Sequence, residues 1–402
     1  MYHLNRRSLL GAAAGALFAP RWAMAAALDW QAVIGQARGQ TVYFHAWGGE
    51  QRINDFIAWA GAETEKRYGV KVVHVKLSNT ADAVSRVLAE SQAGLTSGGS
   101  VDLIWINGAN FASMKEKGLL YGPWAQSLPS FAFIDPVASP VTVNDFTIPV
   151  EGYESPWGLA QLVFYADSTR VPTPPKSAIG LLAYAKAHAG RVTYPDPTNF
   201  LGASFLKQIL TGFTADRALL AKPVADFAKV TEPLWQWLDE LHAVAWRQGR
   251  AFPQNGAELR QLVADGETDI GISFDPAEVS ASIAQKDLPE SVRSFVFDGG
   301  MIGNAHFVAI PFNAAHREGA MVFADFLLSP EGQARKQDPA VWGSFTVLSM
   351  NKLSAVDRAR FDAIDLGPAT LSPAALGPSL AEPHPSWMTA IADEWNQRYR
   401  AG

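Results

Sequence analysis

From residue 41 onward, short runs of β-branched and aromatic residues take turns with longer stretches whose apolar positions fall three and four apart. Residues 41–46 (TVYFHA) form a strand-type run, and residues 51–67 carry Ile53, Phe56, Ile57, Ala60 and Thr64 as one helical stripe. Residues 70–77 alternate and are β-branched, which predicts a second strand. Ala83, Val84, Val87, Leu88 and Ser91 form the next helix face. Residues 101–106 are an apolar run suited to a buried parallel strand, and another helix starts at Ala109. With a short helix over residues 28–39 ahead of it, this alternation predicts a parallel sheet with covered faces.

The pattern loosens over residues 122–156, where prolines separate short extended pieces, and then resumes. Strands are predicted at 159–166, 191–194, 269–274, 292–297 and 306–310. Helices are predicted at 177–188, from Phe200, at 223–246, 257–264, from Asp275-Pro276, and at 315–328. Residues 366–385 hold five prolines and read as a tethered loop. Trp387, Ile391 and Trp395 follow at four-residue spacing on a last helix, a stripe that should dock on a core.

At 402 residues and 48% hydrophobic content the chain can bury sizeable cores and is expected to form two lobes. Cysteine is absent, which rules out disulfides, thiolate metal sites and cysteine nucleophiles. The net charge of −6 argues against nucleic acid or an anionic membrane as the main partner.

Compartment is decided at the N-terminus. Arg6-Arg7 precede an Ala/Leu/Gly-rich run over residues 9–19, and Ala23-Met24-Ala25 supplies the small-x-small pattern of a cleavage site. The run is too short to span a bilayer, which takes about 20 residues. NRRSLL resembles a twin-arginine export signal; an ordinary Sec signal is the alternative, and either sends the chain to the periplasm with cleavage near Ala25. Losing residues 1–25 removes three arginines and no acid, taking the net charge to −9.

Candidate chemistry sits where strands end. The first strand runs into Trp47-Gly48-Gly49, whose glycines allow a tight turn at a helix start, and the crevice beyond strand ends is where α/β proteins bind small ligands. Trp47, Trp157 and Tyr194 lie in predicted loops beside glycine or proline; for Trp47 and Trp157 cleft and core readings weigh equally. Ser78, Asn79, Asn107 and Asn199 are polar groups at helix starts, where capping is the default role. Glu151, Glu154, Asp196 and Asp275 are carboxylates near the crevice; acids beside aromatics suit an organic cation, and also a carbohydrate. The loops 47–51, 78–80, 107–110 and 194–200 contain no Lys or Arg, which disfavours a strongly charged anion, while a small oxyanion held by backbone N–H groups stays open. Metal binding is disfavoured, since no tyrosine pair and no clustered histidines occur; the expected cofactor set is empty. No G-x-S-x-G, G-x-G-x-x-G or G-K-[ST] motif is present, so a binding protein is expected rather than an enzyme, a hydrolase on the same scaffold being the lesser alternative.

Three stretches together carry a family resemblance: GETDIGI at 266–272, FADFLLSPEGQ at 323–333, and the strand at 101–106 with its following turn. They resemble the type II solute-binding proteins of ABC importers, and within that group the YnjB-type branch, whose cargo is generally unassigned. The resemblance implies an α/β fold of two Rossmann-like lobes joined by a hinge and closing on a ligand. It implies lobe 1 at residues 26–150 and 301–345, lobe 2 at 151–300, and a C-terminal segment at 346–402. Crossings are then expected near 148–159 and 297–304, with Gly299, Gly300 and Gly303 as hinge glycines, although a plain surface loop reads equally well there. The implied partners are a small-molecule ligand and a membrane permease, with the protein acting as a monomer.

Overall fold

The computed structural model describes residues 29–377 and 379–400, so the proposed export signal lies outside the described residues. Its first half follows the sequence pattern closely. Helix α1 (Trp30–Ala37) starts at Asp29, whose carboxylate accepts from the N–H groups of Gln31 and Ala32. Strand β1 (Thr41–Trp47), helix α2 (Gln51–Tyr68), strand β2 (Lys71–Leu77), helix α3 (Ala81–Gln92), strand β3 (Leu103–Ile106) and helix α4 (Ala109–Glu116) then alternate. Strand β1 lies between β2 and β3 and is parallel to both. Helix α2 buries Ile53, Phe56, Ile57, Ala60 and Thr64, the stripe expected from spacing. It ends at Gly69, whose left-handed backbone (φ 68°) lets its N–H close on Glu65.

After a small hairpin of β4 (Asn144–Asp145) and β5 (Ile148–Pro149), the chain enters β6 (Glu154–Gln161) and then β7 (Val163–Asp167). The single strand expected at 159–166 is thus two strands in two different sheets. The switch comes at Gln161 and Leu162, whose N–H groups bond Phe274 and Ile302 respectively. Alternation cannot reveal such a switch, because nearly every position of both strands is buried, Glu154, Ser155 and Asp167 included, and no exposed face marks the break.

The second lobe holds α5 (Ala178–Ala187), α6 (Phe200–Phe213), α7 (Phe227–Val244), α8 (Gly256–Ala264), β8 (Ile270–Ser273), α9 (Glu278–Ala284) and β9 (Val292–Phe295). Strand β7 is central and antiparallel to both β8 and β9. Residues 191–194 form no strand. Their carbonyls serve single loop contacts, Arg191 to Asp269 N–H and Val192 to Trp246 N–H, so no ladder forms. Helix α9 begins three residues later than Asp275-Pro276 suggested, with Ala277 at the cap position.

Strand β10 (Met301–Ala309) brings the chain back. It is longer than the 306–310 run expected, and it pairs antiparallel with β6 along most of its length and with β3 at its end. The first sheet is therefore mixed rather than parallel, a consequence of β10 arriving from the far lobe. Helices α10 (Arg317–Leu328), α11 (Pro330–Gln337) and α12 (Ala355–Asp362) complete lobe 1. The proline-rich segment is more ordered than a loop: after α13 (Pro373–Leu376), β11 (Ser379–Ala381) pairs parallel with Met301, Ile302 and Gly303 of β10. Gly303 is needed there for close approach, since a Cβ would lie 2.7 Å from the Ala160 carbonyl oxygen. The turn before β10 contains Gly299 and Gly300, the latter at φ 89°.

Two large apolar cores result, beside a smaller cluster around Tyr165, Val279 and Val292. One joins α1–α4, β1, β3, β10 and α10 around Phe44, Phe56, Phe323 and Trp342; the other joins α5–α8 and β7–β9 around Phe164, Phe205, Trp237 and Leu238. The last helix, α14 (Pro385–Tyr399), places Trp387, Ile391 and Trp395 in the second core. Burial of one large apolar side chain contributes about 1.5–3 kcal/mol, enough for this stripe to hold the C-terminal helix down. Among the described residues no helix is long and apolar enough to cross a membrane.

Candidate functional site

The lobes face each other across β6 and β10, where the C-terminal ends of the lobe 1 strands meet lobe 2 helix starts. On the lobe 1 rim Trp47 lies across Gly49, where a Cβ would sit 2.5 Å from the indole ring. The chain then turns through Glu50, whose carboxylate pairs with Arg52 at 3.3 Å and reaches Arg260 of lobe 2 at 3.7 Å. Arg260 also pairs with Glu278 at 2.5 Å. Ser78 and Asn79 are exposed, and Asn79 accepts from Ala81 N–H as a turn residue does. Asn107 donates to the Ala305 carbonyl at 2.6 Å and so ties the end of β3 to β10.

Beside this rim stands an aromatic cluster. Trp105, near the end of β3, packs against Trp157 (5.0 Å between ring centroids), His306 (5.2 Å) and Trp342 (5.7 Å). Trp157 is wholly buried behind it, whereas Trp105 and His306 are half-buried and reach the gap. Between Trp157 and Trp342 lies the ammonium of Lys336, 4.5 and 4.4 Å from their rings and 2.7 Å from the Trp157 carbonyl. It fits because residue 158 is glycine: a Cβ there would overlap the Lys336 nitrogen. From lobe 2 comes Asp275, one oxygen accepting from Trp342 Nε1 at 3.2 Å and the other unpartnered.

Burial dominates the electrostatics. It pushes Asp275 up to about 6, with the Glu278 charge adding to the shift, and pushes Lys336 down to about 7 against the pull of Asp275. His306 is held neutral, well below the usual imidazole range, by burial first and the Lys336 charge second. Its Nδ1 and the Trp157 Nε1 have no partner.

A second polar cluster lies beyond Asn107. Lys207 of α6 and Glu382, just after β11, form a fully buried ion pair at 2.6 Å, with Asn304 donating to the same carboxylate. The Lys207 ammonium also lies 4.7 Å from the Phe146 ring of the β4–β5 turn. Asp145 accepts from Gly108 N–H at 2.6 Å, and burial lifts its carboxyl to about 8. Glu154 has no partner for either oxygen; burial, then the Asp145 charge, raises it well above the usual range. A folded-state value above the unfolded 4.5 gives stability that is complete at low pH and lost as pH rises through the folded value. Glu154→Gln should therefore match the parent in urea melts near pH 5 and exceed it near pH 9; a gap that does not change with pH would contradict a protonated Glu154.

The other residues singled out from sequence are placed differently. Tyr194 is buried in the lobe 2 core, its hydroxyl 2.7 Å from His242 Nε2 and accepting from Trp395 Nε1. It does not face the gap, because α14 covers that side. Asp196 is buried too: one oxygen accepts from the Thr198 N–H and hydroxyl, the other pairs with Arg400. Asn199 caps α6 through Leu201 N–H. Glu151 is exposed and pairs with Lys115 at 2.9 Å. Of the candidates, then, Trp157 and Asp275 meet in one cluster, Trp47 and Asn107 stand on its lobe 1 rim, and Tyr194, Asp196 and Asn199 serve lobe 2 itself. Sequence reading passed over Trp105, His306, Trp342 and Lys336. Trp105 sits in an apolar run that reads as core, and a lysine within a polar helix carries no sign of burial. Among the described residues no three His, Asp or Glu side chains converge as a metal would need. A groove of about 710 Å³ lies between α9, α11 and α12 and is lined by Trp59, Ile283 and Arg335, with Lys336 outside its lining.

Comparison with known proteins agrees with this architecture. Residues 59–348 match the family described as bacterial extracellular solute-binding protein. Protein YnjB of Escherichia coli (strain K12) is 46% identical over 375 residues, covering 93% of this chain and 94% of that one. Among solved structures, the periplasmic binding protein AfuA from Actinobacillus pleuropneumoniae, with fructose-6-phosphate bound, superposes with a TM-score of 0.62 at 15% identity, over 90% of this chain and 99% of that one. The spermidine/putrescine substrate-binding protein PotD from Streptococcus pneumoniae gives 0.62 at 14% identity, over 90% and 99%. Iron-bound HitA from Pseudomonas aeruginosa gives 0.60 at 17%, over 88% and 98%. At such identities the structures share the fold alone, two lobes around a crossing, while the family match and the E. coli relative extend across both lobes and the strands between them. This chain therefore belongs to the bacterial extracellular solute-binding proteins, the exported components that capture a solute for an ABC transporter.

Proposed function

We propose that the solute is a small organic molecule with a positively charged nitrogen, held between the lobes against Asp275 and the Trp105–His306 wall. The observation that carries this reading is the Asp275 carboxylate: it enters an aromatic-walled gap from lobe 2 with one oxygen unpartnered. A buried acceptor without a donor costs about 1–3 kcal/mol, and an ammonium group supplies the donor and the charge at once. Half-exposed aromatic faces beside it add cation–π attraction. The spermidine/putrescine binding protein among the structural neighbours accords with this class, and the sugar-phosphate and iron binders on the same fold set the competing ones.

In this reading the protein is exported through its twin-arginine-like segment, is cleaved near Ala25 and acts as a monomer. It bends about β6, β10 and the Gly299-Gly300 turn, and its closed form docks on a permease. The solute drives closure only by binding the closed state better than the open one. The test is a thermal-shift screen of the exported form against amines, sugars and small oxyanions. Amines should raise the melting temperature, by an amount that grows with concentration. A rise confined to sugars or oxyanions would refute the assignment.

A further inference from the structure

The charges packed where the lobes meet are divided unequally between them. Lobe 1 contributes Glu50, Arg52 and the fully buried Lys336; lobe 2 contributes Arg260, Asp275 and Glu278. With every group ionised, the lobe 1 face is formally one charge positive and the lobe 2 face one charge negative. The neighbouring imidazole, His306, is neutral and changes neither sum. Several of these groups also have bonding capacity left over. Lys336 donates to one acceptor, the Trp157 carbonyl, although an ammonium carries three donors. Arg52 reaches Glu50 with Nε at 3.3 Å and the Trp342 carbonyl with one terminal nitrogen at 3.5 Å, leaving its second terminal nitrogen free. Asp275 keeps one buried oxygen without a donor.

A lone cation seated at Asp275 would put a second ammonium beside Lys336, and a lone anion seated at Lys336 would face Asp275 and Glu278. Either leaves like charges together in a low-dielectric gap as the lobes close, where an uncompensated charge is most costly. A molecule carrying both signs avoids this. We infer that the solute is a small zwitterion, its ammonium or quaternary nitrogen against Asp275 and the Trp105 ring on the lobe 2 side and its carboxylate toward Arg52 and Lys336 on the lobe 1 side. This rests on the amine reading of the cleft and adds the second, anionic end. It also gives closure its direction: each end of the molecule is matched by a different lobe, so both ends are satisfied only when the lobes meet.

The test uses the exported form and two sets of related probes that differ in charge: cadaverine, 5-aminovalerate and glutarate, then choline, glycine betaine and acetate. Intrinsic tryptophan fluorescence and melting temperature report binding. In at least one set the zwitterion should bind at least about tenfold more tightly than its cation and its anion. A cation that binds as well as the zwitterion overturns this inference and leaves the amine reading standing. Binding of the anions alone, or no response to either zwitterion, overturns it as well, and anion-only binding takes the amine reading with it. Arg52→Gln then locates the carboxylate end. The ratio of zwitterion to cation affinity should fall about tenfold in the variant, with an unchanged circular dichroism spectrum; a ratio that stays constant shows that Arg52 does not meet the carboxylate.

Discussion

Lys207→Ala should destabilise the protein by about 3–5 kcal/mol, the usual cost of removing one partner from a buried ion pair. Both side chains of the Lys207–Glu382 pair are without solvent exposure, and Glu382 keeps only Asn304 as a donor once the ammonium is gone. Asp145 lies close enough to add repulsion. The double variant Lys207→Met/Glu382→Leu removes both charges and should recover most of the loss, because well-packed apolar replacements of buried pairs are often neutral or better. Denaturant melts of the three proteins check this. A single variant within about 1 kcal/mol of the parent would show that the pair does not pin the C-terminal segment to α6.

Asp275→Asn should weaken binding of the amine probes about tenfold to a hundredfold, the equivalent of the roughly 1.5–3 kcal/mol carried by a hydrogen bond to a charged group. The same affinity in the parent protein should decline as pH falls through about 6, where burial makes Asp275 take up a proton and lose its charge. The effect on stability has the opposite sign. Because the folded-state value lies above the ordinary 3.8, what Asp275 contributes to folding is complete below about 4 and lost as pH rises through about 6. Near pH 8 the asparagine variant should thus be at least as stable as the parent while binding worse. Isothermal titration at pH 5.5 and 7.5 with paired thermal melts separates the two. Equal amine affinity in variant and parent at pH 7.5 would remove Asp275 from the site.

Much of the first lobe was legible because its signals are local. The α2 stripe, the three early strands and the docking stripe of α14 each occur at their expected places. Misreadings cluster at the crossing. Residues 154–167 are buried at nearly every position, polar Glu154, Ser155 and Asp167 included, so period-2 alternation vanishes where β6 hands over to β7. Strand β10 is likewise buried at almost every position and was seen only in its last part. Asp196 was expected near the crevice, yet it is consumed by Thr198 and by Arg400, which lies some two hundred residues further along the chain.

By itself the sequence determined the order of strands and helices in the first half of the chain, the grouping into two lobes, the candidate export signal and the kinship with solute-binding proteins. Each of these depends on periodicity, composition or a short contiguous motif. Only the tertiary structure decided which side chains meet between the lobes, because Glu50, Arg260, Asp275 and the stretch from Lys336 to Trp342 come from four separate segments brought together by the β6–β10 crossing. It also decided that Lys336 and Lys207 are buried, the opposite of a lysine's default, since burial of a charge depends on distant partners, a carbonyl and a carboxylate, that no local pattern records.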